Sequence, residues 1–289
     1  MEYDIYSLRD YVSVITNSVF GDVNGVKYYK WFRGHADKEW ELIPKVQREY
    51  NGSSNEELHR LERRYVNDYF TRASHLQHNT PPADDYSGWL ALMQHYGLPT
   101  RLLDWSRSPL VALYFAVCNE KEWDKDGCIW VLIPDILNRV EELEKPSRVD
   151  DREYENTYLY NSSHRTIQVM VYSAFKRWNL DGDDPNAITP EDRKFDRRYK
   201  ALSDKIAACY PVWPDLRIYN QLSTFTVHSG LQKLREKNES CGGTFLDCIC
   251  IPAESKKRLR FELELCGITE SYIFPDLEHL ANELKNRQN

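Results

Sequence analysis

The stretch Gln94–Ala116, QHYGLPTRLLDWSRSPLVALYFA, decides how this 289-residue chain folds. Trp89 to Tyr96 reads as a helix that Gly97 closes in the left-handed conformation. Pro99 bars continuation, so Leu98 to Trp105 is extended or irregular. Ser108 and Pro109 then cap and start a helix from Leu110 to about Glu120, apolar on nearly every face and therefore buried. Between these helices Gln94, His95, Tyr96, Thr100, Arg101, Asp104, Trp105 and Ser106 crowd into thirteen residues. That is more polar chemistry than a connector needs, and loops carrying such groups on a rigid scaffold are common binding sites.

Upstream, Ser7 and Asp10 form a capping box that opens a short helix through about Ile15. Lys27 to Gly34, KYYKWFRG, is rich in strand formers and ends on a glycine. Asn55 caps a long helix to about Gln77, with Leu58, Leu61, Tyr65, Tyr69, Ala73 and Leu76 recurring at helical spacing. Arg60, Arg63, Arg64 and Asp68 form its solvated side. Downstream, Cys128 to Pro134 is a core strand, and Glu141 to Ser163 is polar and irregular. Thr166 to Phe175 is strand-like, and Asp181 to Asn186 is a turn. Thr189-Pro190 with Asp192 starts a helix to about Cys209 that carries Arg193, Lys194, Arg197, Arg198 and Lys200. Gln221–His228 and Thr244–Ile251 are strands, and helices follow over about Ser255–Leu265 and Pro275–Lys285. The expected fold class is α+β in a single domain spanning 1–289. Its core covers about 27–134 and 165–285, with an insertion at about 141–164 and a basic helix at about 190–208.

A hydrophobic fraction of 41% with 29% charged residues is that of a globular chain. No apolar run approaches the roughly 18 to 20 residues that span a bilayer, and MEYDIYSLRD lacks the basic start and apolar centre of a signal peptide. No membrane association and a cytoplasmic location are expected. The net charge of −7 argues against a general nucleic-acid binder while leaving room for a local basic cleft. Seven cysteines without a CxxC pair predict buried free thiols rather than a disulfide framework or a metal site.

Arg33 follows Trp31 and Phe32 on a strand that should be buried, so its guanidinium needs an acceptor, either a ligand phosphate or a core carboxylate such as Asp104. Gly34 admits a ligand or another backbone at close range. His95 is either a ligand contact or a hydrogen-bonded helix end. Arg101 and Asp104 either serve the site or pair as a strut, Trp105 either stacks on a ring or fills the core, and Gln221 either faces a cleft or is buried against backbone. No Ser-His-Asp order, Gly-rich phosphate loop or metal-ligand cluster is present.

WFRGH at Trp31–His35, then Trp40-Glu41-Leu42 with Pro44 and Arg48, then LALMQHYGLPTRLLDWSRSPLVALYFA, together closely resemble the FRG-domain family. GITESYIFPDLEHLANEL, from Gly267, resembles that family's closing segment. The Phe-Arg-Gly at a strand end is in turn similar to the Tyr-Arg-Gly with which mono-ADP-ribosyltransferases present an arginine to NAD. In those enzymes a Ser-Thr-Ser strand leads into a helix of pattern Val-Ala-Leu-x-Phe-Ala, matched in offset here by Asp104-Trp105-Ser106 before Val111–Ala116. The resemblance implies an ADP-ribosyltransferase-like mixed β core with flanking helices, and NAD as substrate. Arg33 would hold the pyrophosphate, Ser106 would steady the nicotinamide ribose, and Tyr96 or Trp105 would flank the nicotinamide ring. Gly34, His35, Gln94, His95, Thr100 and Arg101 would complete the NAD site. Asp104-Trp105 departs from the first Ser-Thr, and Gln221 stands where a Glu-x-Glu is expected, so Asp104 or Glu270 would have to supply the catalytic carboxylate. The implied activity is modification of a macromolecule, RNA, DNA or protein, by a bacterial toxin or anti-phage effector, with a neutralising antitoxin protein as a further partner. Two other classes compete: a non-catalytic module that holds a nucleotide or a partner's acidic motif, and a nuclease or phosphodiesterase.

Overall fold

The computed structural model describes residues 5–16, 29–76, 80–83, 85–143, 204–210 and 216–286. Six strands, β1 (Trp31–His35), β2 (Leu102–Ser106), β3 (Gly127–Leu132), β4 (Ile206–Cys209), β5 (Ser223–His228) and β6 (Leu246–Ile251), form one sheet in the order β4-β5-β2-β1-β3-β6. Every neighbouring pair is antiparallel. Among the described residues the helices are α1 (Leu8–Val14), α2 (Lys45–Glu49), α3 (Asn55–Leu76), α4 (Tyr86–His95), α5 (Pro109–Val117), α6 (Pro134–Val140), α7 (Leu216–Asn220), α8 (Leu234–Ser240), α9 (Lys256–Leu265), α10 (Glu270–Ile273) and α11 (Leu277–Asn286), with two short 3-10 turns besides.

The centre of this sheet is its weakest seam. β1 is zipped to β3 from Trp31 opposite Leu132 to His35 opposite Cys128, and β2 to β5 along its whole length. β1 and β2 meet only at Phe32 opposite Ser106. Beyond that bridge the two halves, β4-β5-β2 and β1-β3-β6, part company, and the parting creates the cleft described below.

Three apolar clusters hold the halves. On one face Phe32, Ile129, Val131, Ile249 and Ile251 pack under α5, α9 and Tyr11 of α1. On the same face of the other half, Leu102, Phe225, Val227 and Ala207 pack under Val66 of α3 and Trp89, Leu90 and Met93 of α4. The opposite face carries Trp31, Leu103, Trp105, Trp130 and Leu132, covered by Leu137 of α6 and Leu234 of α8. This third cluster draws from both halves, so it bonds across the seam where the backbone does not.

Local sequence explains the ends of the elements around the seam. Asp85 caps α4 by accepting from the Gly88 N–H at 2.9 Å. Gly97, at φ +79°, ends α4, with the Leu98 N–H returning to the Met93 carbonyl. Ser108 caps α5 by accepting from the Val111 N–H at 3.4 Å, and Pro109 occupies its first turn. A buried ammonium, Lys256, secures the exit of β1 through the carbonyls of Ala36 and Glu122 at 2.5 and 2.6 Å.

Several expectations need correction. Cys209 does not end a basic helix: Ile206–Cys209 is the edge strand β4, where four buried residues in a row fit a covered sheet better than an amphipathic helix. The remainder of that helix, the strand expected at 166–175 and most of the polar insertion lie outside the described residues. α5 stops at Val117, three residues early, and a short 3-10 turn follows at Glu120–Glu122. Asn55 does not cap its helix; its side chain bonds Asp204 and the Leu231 N–H at 2.9 Å each. The cysteines are all free, but only Cys128 and Cys209 are buried, while Cys248 and Cys266 are exposed. Cys248 lies on the edge strand β6 and Cys266 at the cap that ends α9.

Gly34 is reserved for backbone. A Cβ there would lie 1.9 Å from the Ala112 carbonyl oxygen and 2.7 Å from the Ala116 nitrogen, so α5 rests directly on β1. Gly34→Ala should therefore lower stability by about 3 kcal/mol, read as a drop in the urea or thermal midpoint. An unchanged midpoint would mean that α5 can lift away at no cost.

Candidate active site

Where β1 and β2 separate, a cleft of about 280 Å³ opens between them, roofed by α4, α5 and α7. Its lining mixes apolar side chains, Phe32, Ala112, Phe115 and Phe225, with the polar Arg33, Arg48, Arg217, Gln94, His95 and Asp104.

Arg33 reaches across the seam. One terminal nitrogen donates to the Asp104 backbone carbonyl at 2.7 Å and lies 3.9 Å from the Asp104 carboxylate. Its Nε donates to His35 Nε2 at 3.1 Å. Burial weakens Arg33's hold on its proton, to about 10, with Asp104 favouring the charge and Arg48 opposing it. It is still a cation at neutral pH.

His35 is buried between two obligate donors, the Nε–H of Arg33 and the indole N–H of Trp130, 3.3 Å from its Nδ1. A neutral ring can accept from one of them, its other nitrogen carrying the N–H, and a protonated ring from neither. Burial, then the charges of Arg33 and Arg48, hold its pKa down to about 3.

Asp104 is the carboxylate that projects into the cleft. Its neighbours on β2 are buried, while its own side chain is 54% exposed. The Gln94 amide donates to both of its oxygens, at 3.0 and 2.9 Å. The Thr100 hydroxyl in turn donates to the Gln94 carbonyl oxygen, which fixes the amide's orientation. Gln94 and Thr100 thus aim Asp104, and Thr100 itself is buried outside the cleft.

The remaining expected residues fall into three groups. Ser106 and Gln221 line the cleft but are also structural: the Ser106 hydroxyl donates to the Gln221 carbonyl at 2.6 Å and accepts from the Ser108 N–H at 2.9 Å. The Gln221 amide donates to the Ile273 carbonyl at 3.1 Å. His95 lines the cleft with its ring edge-on to Tyr96, which sits outside the lining and is exposed. Trp105 belongs mainly to the core, where its indole N–H donates to Thr226 at 3.1 Å.

Arg101 and Glu270 are not brought to the cleft. Arg101 is buried at 2% exposure against Glu62 of α3, itself 3% exposed, in a two-pronged pair with Nε to Oε1 at 2.8 Å. Its partner is therefore neither Asp104 nor a ligand. Glu270 lies against a different face of α5: burial raises the proton affinity of Tyr114 and Cys118, and Glu270 adds to both.

Sequence reasoning missed Arg217 and the site role of Arg48. Arg217 stands four residues before Gln221, which places both on one side of the turn that ends α7. Its guanidinium sits 4.9 Å from the centre of the Phe274 ring, and Phe274 stacks on His279 at 4.6 Å. The closing segment of the chain thereby holds an arginine over the cleft. Among the described residues no group of three or more His, Cys, Asp or Glu is placed to hold a metal ion. No helix there is long and apolar enough to cross a membrane.

Three buried imidazoles set a pH response. Burial depresses His35 to about 3, and His59 and His228 to about 4. In the unfolded chain they protonate near 6.5, so between roughly pH 6.5 and 4 the unfolded state binds more protons. Their contribution is complete above that window and is lost as pH falls through it. The unfolding midpoint should drop steeply from pH 7 to pH 4.5, and His35→Gln, which still accepts from Arg33, should flatten the slope. A flat profile in the wild type would mean that these rings are protonated in the fold.

No curated protein and no solved structure matches the chain. Residues 29–125 do match a known family. They run from the approach to β1 through α5 and include Arg33, Arg48, Gln94, Asp104 and Ser106, though not Arg217 or Gln221. The family that this part of the chain matches is the FRG domain.

Proposed function

We propose that the protein is an ADP-ribosyltransferase-like enzyme that uses NAD to modify a macromolecule. The observation that carries this reading is the placement of Asp104. It is the carboxylate among the residues lining the cleft, it is aimed by Gln94, and it stands 3.9 Å from Arg33. The three strands to which the resemblance assigns motifs, β1 with Arg33, β2 with Ser106 and β5 after Gln221, are also neighbours in the sheet.

In the proposed reaction the bond between the nicotinamide nitrogen and ribose C1′ breaks, and its electron pair leaves on neutral nicotinamide. The acceptor's nucleophile bonds to C1′, and its proton passes to a base. Arg33 neutralises the diphosphate. The apolar side chains of the lining, Phe32, Ala112, Phe115 and Phe225, suit an aromatic ring. Positive charge develops on the ribose as the bond breaks, and a fixed carboxylate stabilises it more than water does. Asp104 supplies that charge and takes the acceptor's proton.

Nicotinamide release from NAD tests the reading. Asp104→Asn should lower the rate by about 100-fold or more without moving the unfolding midpoint, because an amide oxygen still accepts from Gln94. Arg33→Ala should lose activity as well, and its unfolding midpoint should fall because the Asp104 carbonyl loses its donor. Full activity in Asp104→Asn would remove Asp104 from the chemistry. If the wild-type protein releases no nicotinamide and labels nothing in a full lysate, the cleft is a nucleotide-holding module instead. The toxin or anti-phage role that the resemblance adds predicts that induced wild-type protein arrests growth and Arg33→Ala does not.

A further inference from the structure

A second cavity of about 180 Å³ adjoins the cleft and shares Arg48, Gln94, Asp104 and Arg217 with it. Asp104 stands where the two meet. The second cavity adds Lys45, whose ammonium is fixed at the rim by the Gly97 carbonyl at 2.7 Å. Lys45, Arg48 and Arg217 thus line the cavity with one acid, Asp104, in a chain whose net charge is −7, and Glu49 lies 4.0 Å from the Lys45 ammonium outside the lining. Two exposed aromatic side chains adjoin this cavity: Tyr96, 59% exposed, is next in the chain to Gly97 of the second lining, and Trp40, 39% exposed, lines the neighbouring first cavity.

We propose that the second cavity admits the acceptor and that the acceptor is single-stranded nucleic acid. The proposal rests on the transferase reading. If the sugar donor fills the first cavity, transfer has to occur at the wall it shares with the second, and Asp104 is on that wall. Three cations there repel lysine or arginine side chains and attract phosphates. Exposed rings beside a basic path bind unpaired bases by stacking, which a duplex, with its bases already stacked, does not offer. An acidic peptide would satisfy the cations but give Tyr96 and Trp40 nothing to stack on. In the transfer a base nitrogen bonds to ribose C1′, nicotinamide leaves with the electron pair of the broken bond, and the N–H proton of the base passes to Asp104.

Fluorescence anisotropy of the intact protein with labelled single-stranded DNA and RNA oligonucleotides, first without NAD, tests this. Binding should weaken with salt at a log–log slope of about −2, as expected for three phosphate contacts on a single strand. Lys45→Glu should weaken it at least tenfold with an unchanged unfolding midpoint, and saturating NAD should leave the strand bound. Labelled NAD should then mark the oligonucleotide. Absence of binding, indifference to Lys45→Glu, or displacement of the strand by NAD would overturn the proposal, the last by assigning the second cavity to NAD itself. Nicotinamide release with label on protein rather than on the strand would overturn it and leave the transferase reading intact. Strand binding without any nicotinamide release would sink the transferase reading, and the acceptor role with it.

Discussion

The hydrogen bond from the Arg33 guanidinium to the backbone carbonyl of Asp104, 2.7 Å long, is the constraint on which the rest of the structure turns. A sheet with continuous central pairing leaves no space between its strands. One that simply parts leaves backbone groups without partners, which a buried setting does not tolerate. Here the parting is maintained because a side chain takes the place of a backbone donor. The opening can then persist at the centre of the fold, with apolar packing on the opposite face drawn from both halves.

Much of this was legible in the sequence where the signal is local. The glycine that ends α4, the Ser-Pro start of α5 and the apolar run of β3 are all set by near neighbours, and the polar concentration between the helices did mark the cleft. What failed was non-local. Nothing near Arg101 in the sequence explains it; its partner Glu62 is 39 positions away, on a helix where only Arg60, Arg63, Arg64 and Asp68 read as a solvated side. Gly34 was open to two readings until α5 was placed on it. Arg217 and Phe274 are far apart in sequence and meet only because α7 and the closing segment share one side of the sheet. The edge strand β4 was read as helix because the basic residues before it imposed a helical pattern that the chain abandons.

Charge is distributed to the same end. Several exposed cations of the fold are neutralised nearby: Lys125 lies 2.9 Å from both Asp37 and Glu122, and Lys38 is 3.0 Å from Asp126. Arg33, Arg48 and Arg217 instead gather on one cleft with a single carboxylate. Like charges do not collect in this way unless the surroundings force them together. Here β1 and α2, consecutive in the chain, and the distant α7 each bring one.

The guanidinium of Arg33 has five N–H groups in a fixed fork. One is directed at His35 and one at the Asp104 carbonyl, which leaves donors on the terminal nitrogens for whatever enters the cleft. Closing the sheet and gripping an anion are therefore not rival uses of this residue, and occupancy need not unfasten the strands. A lysine could not divide its labour in this way, since its three donors radiate from a single point with no plane to order them. The choice of arginine at position 33 makes the seam both a joint of the scaffold and a surface of the site, so that neither can drift in sequence without the other.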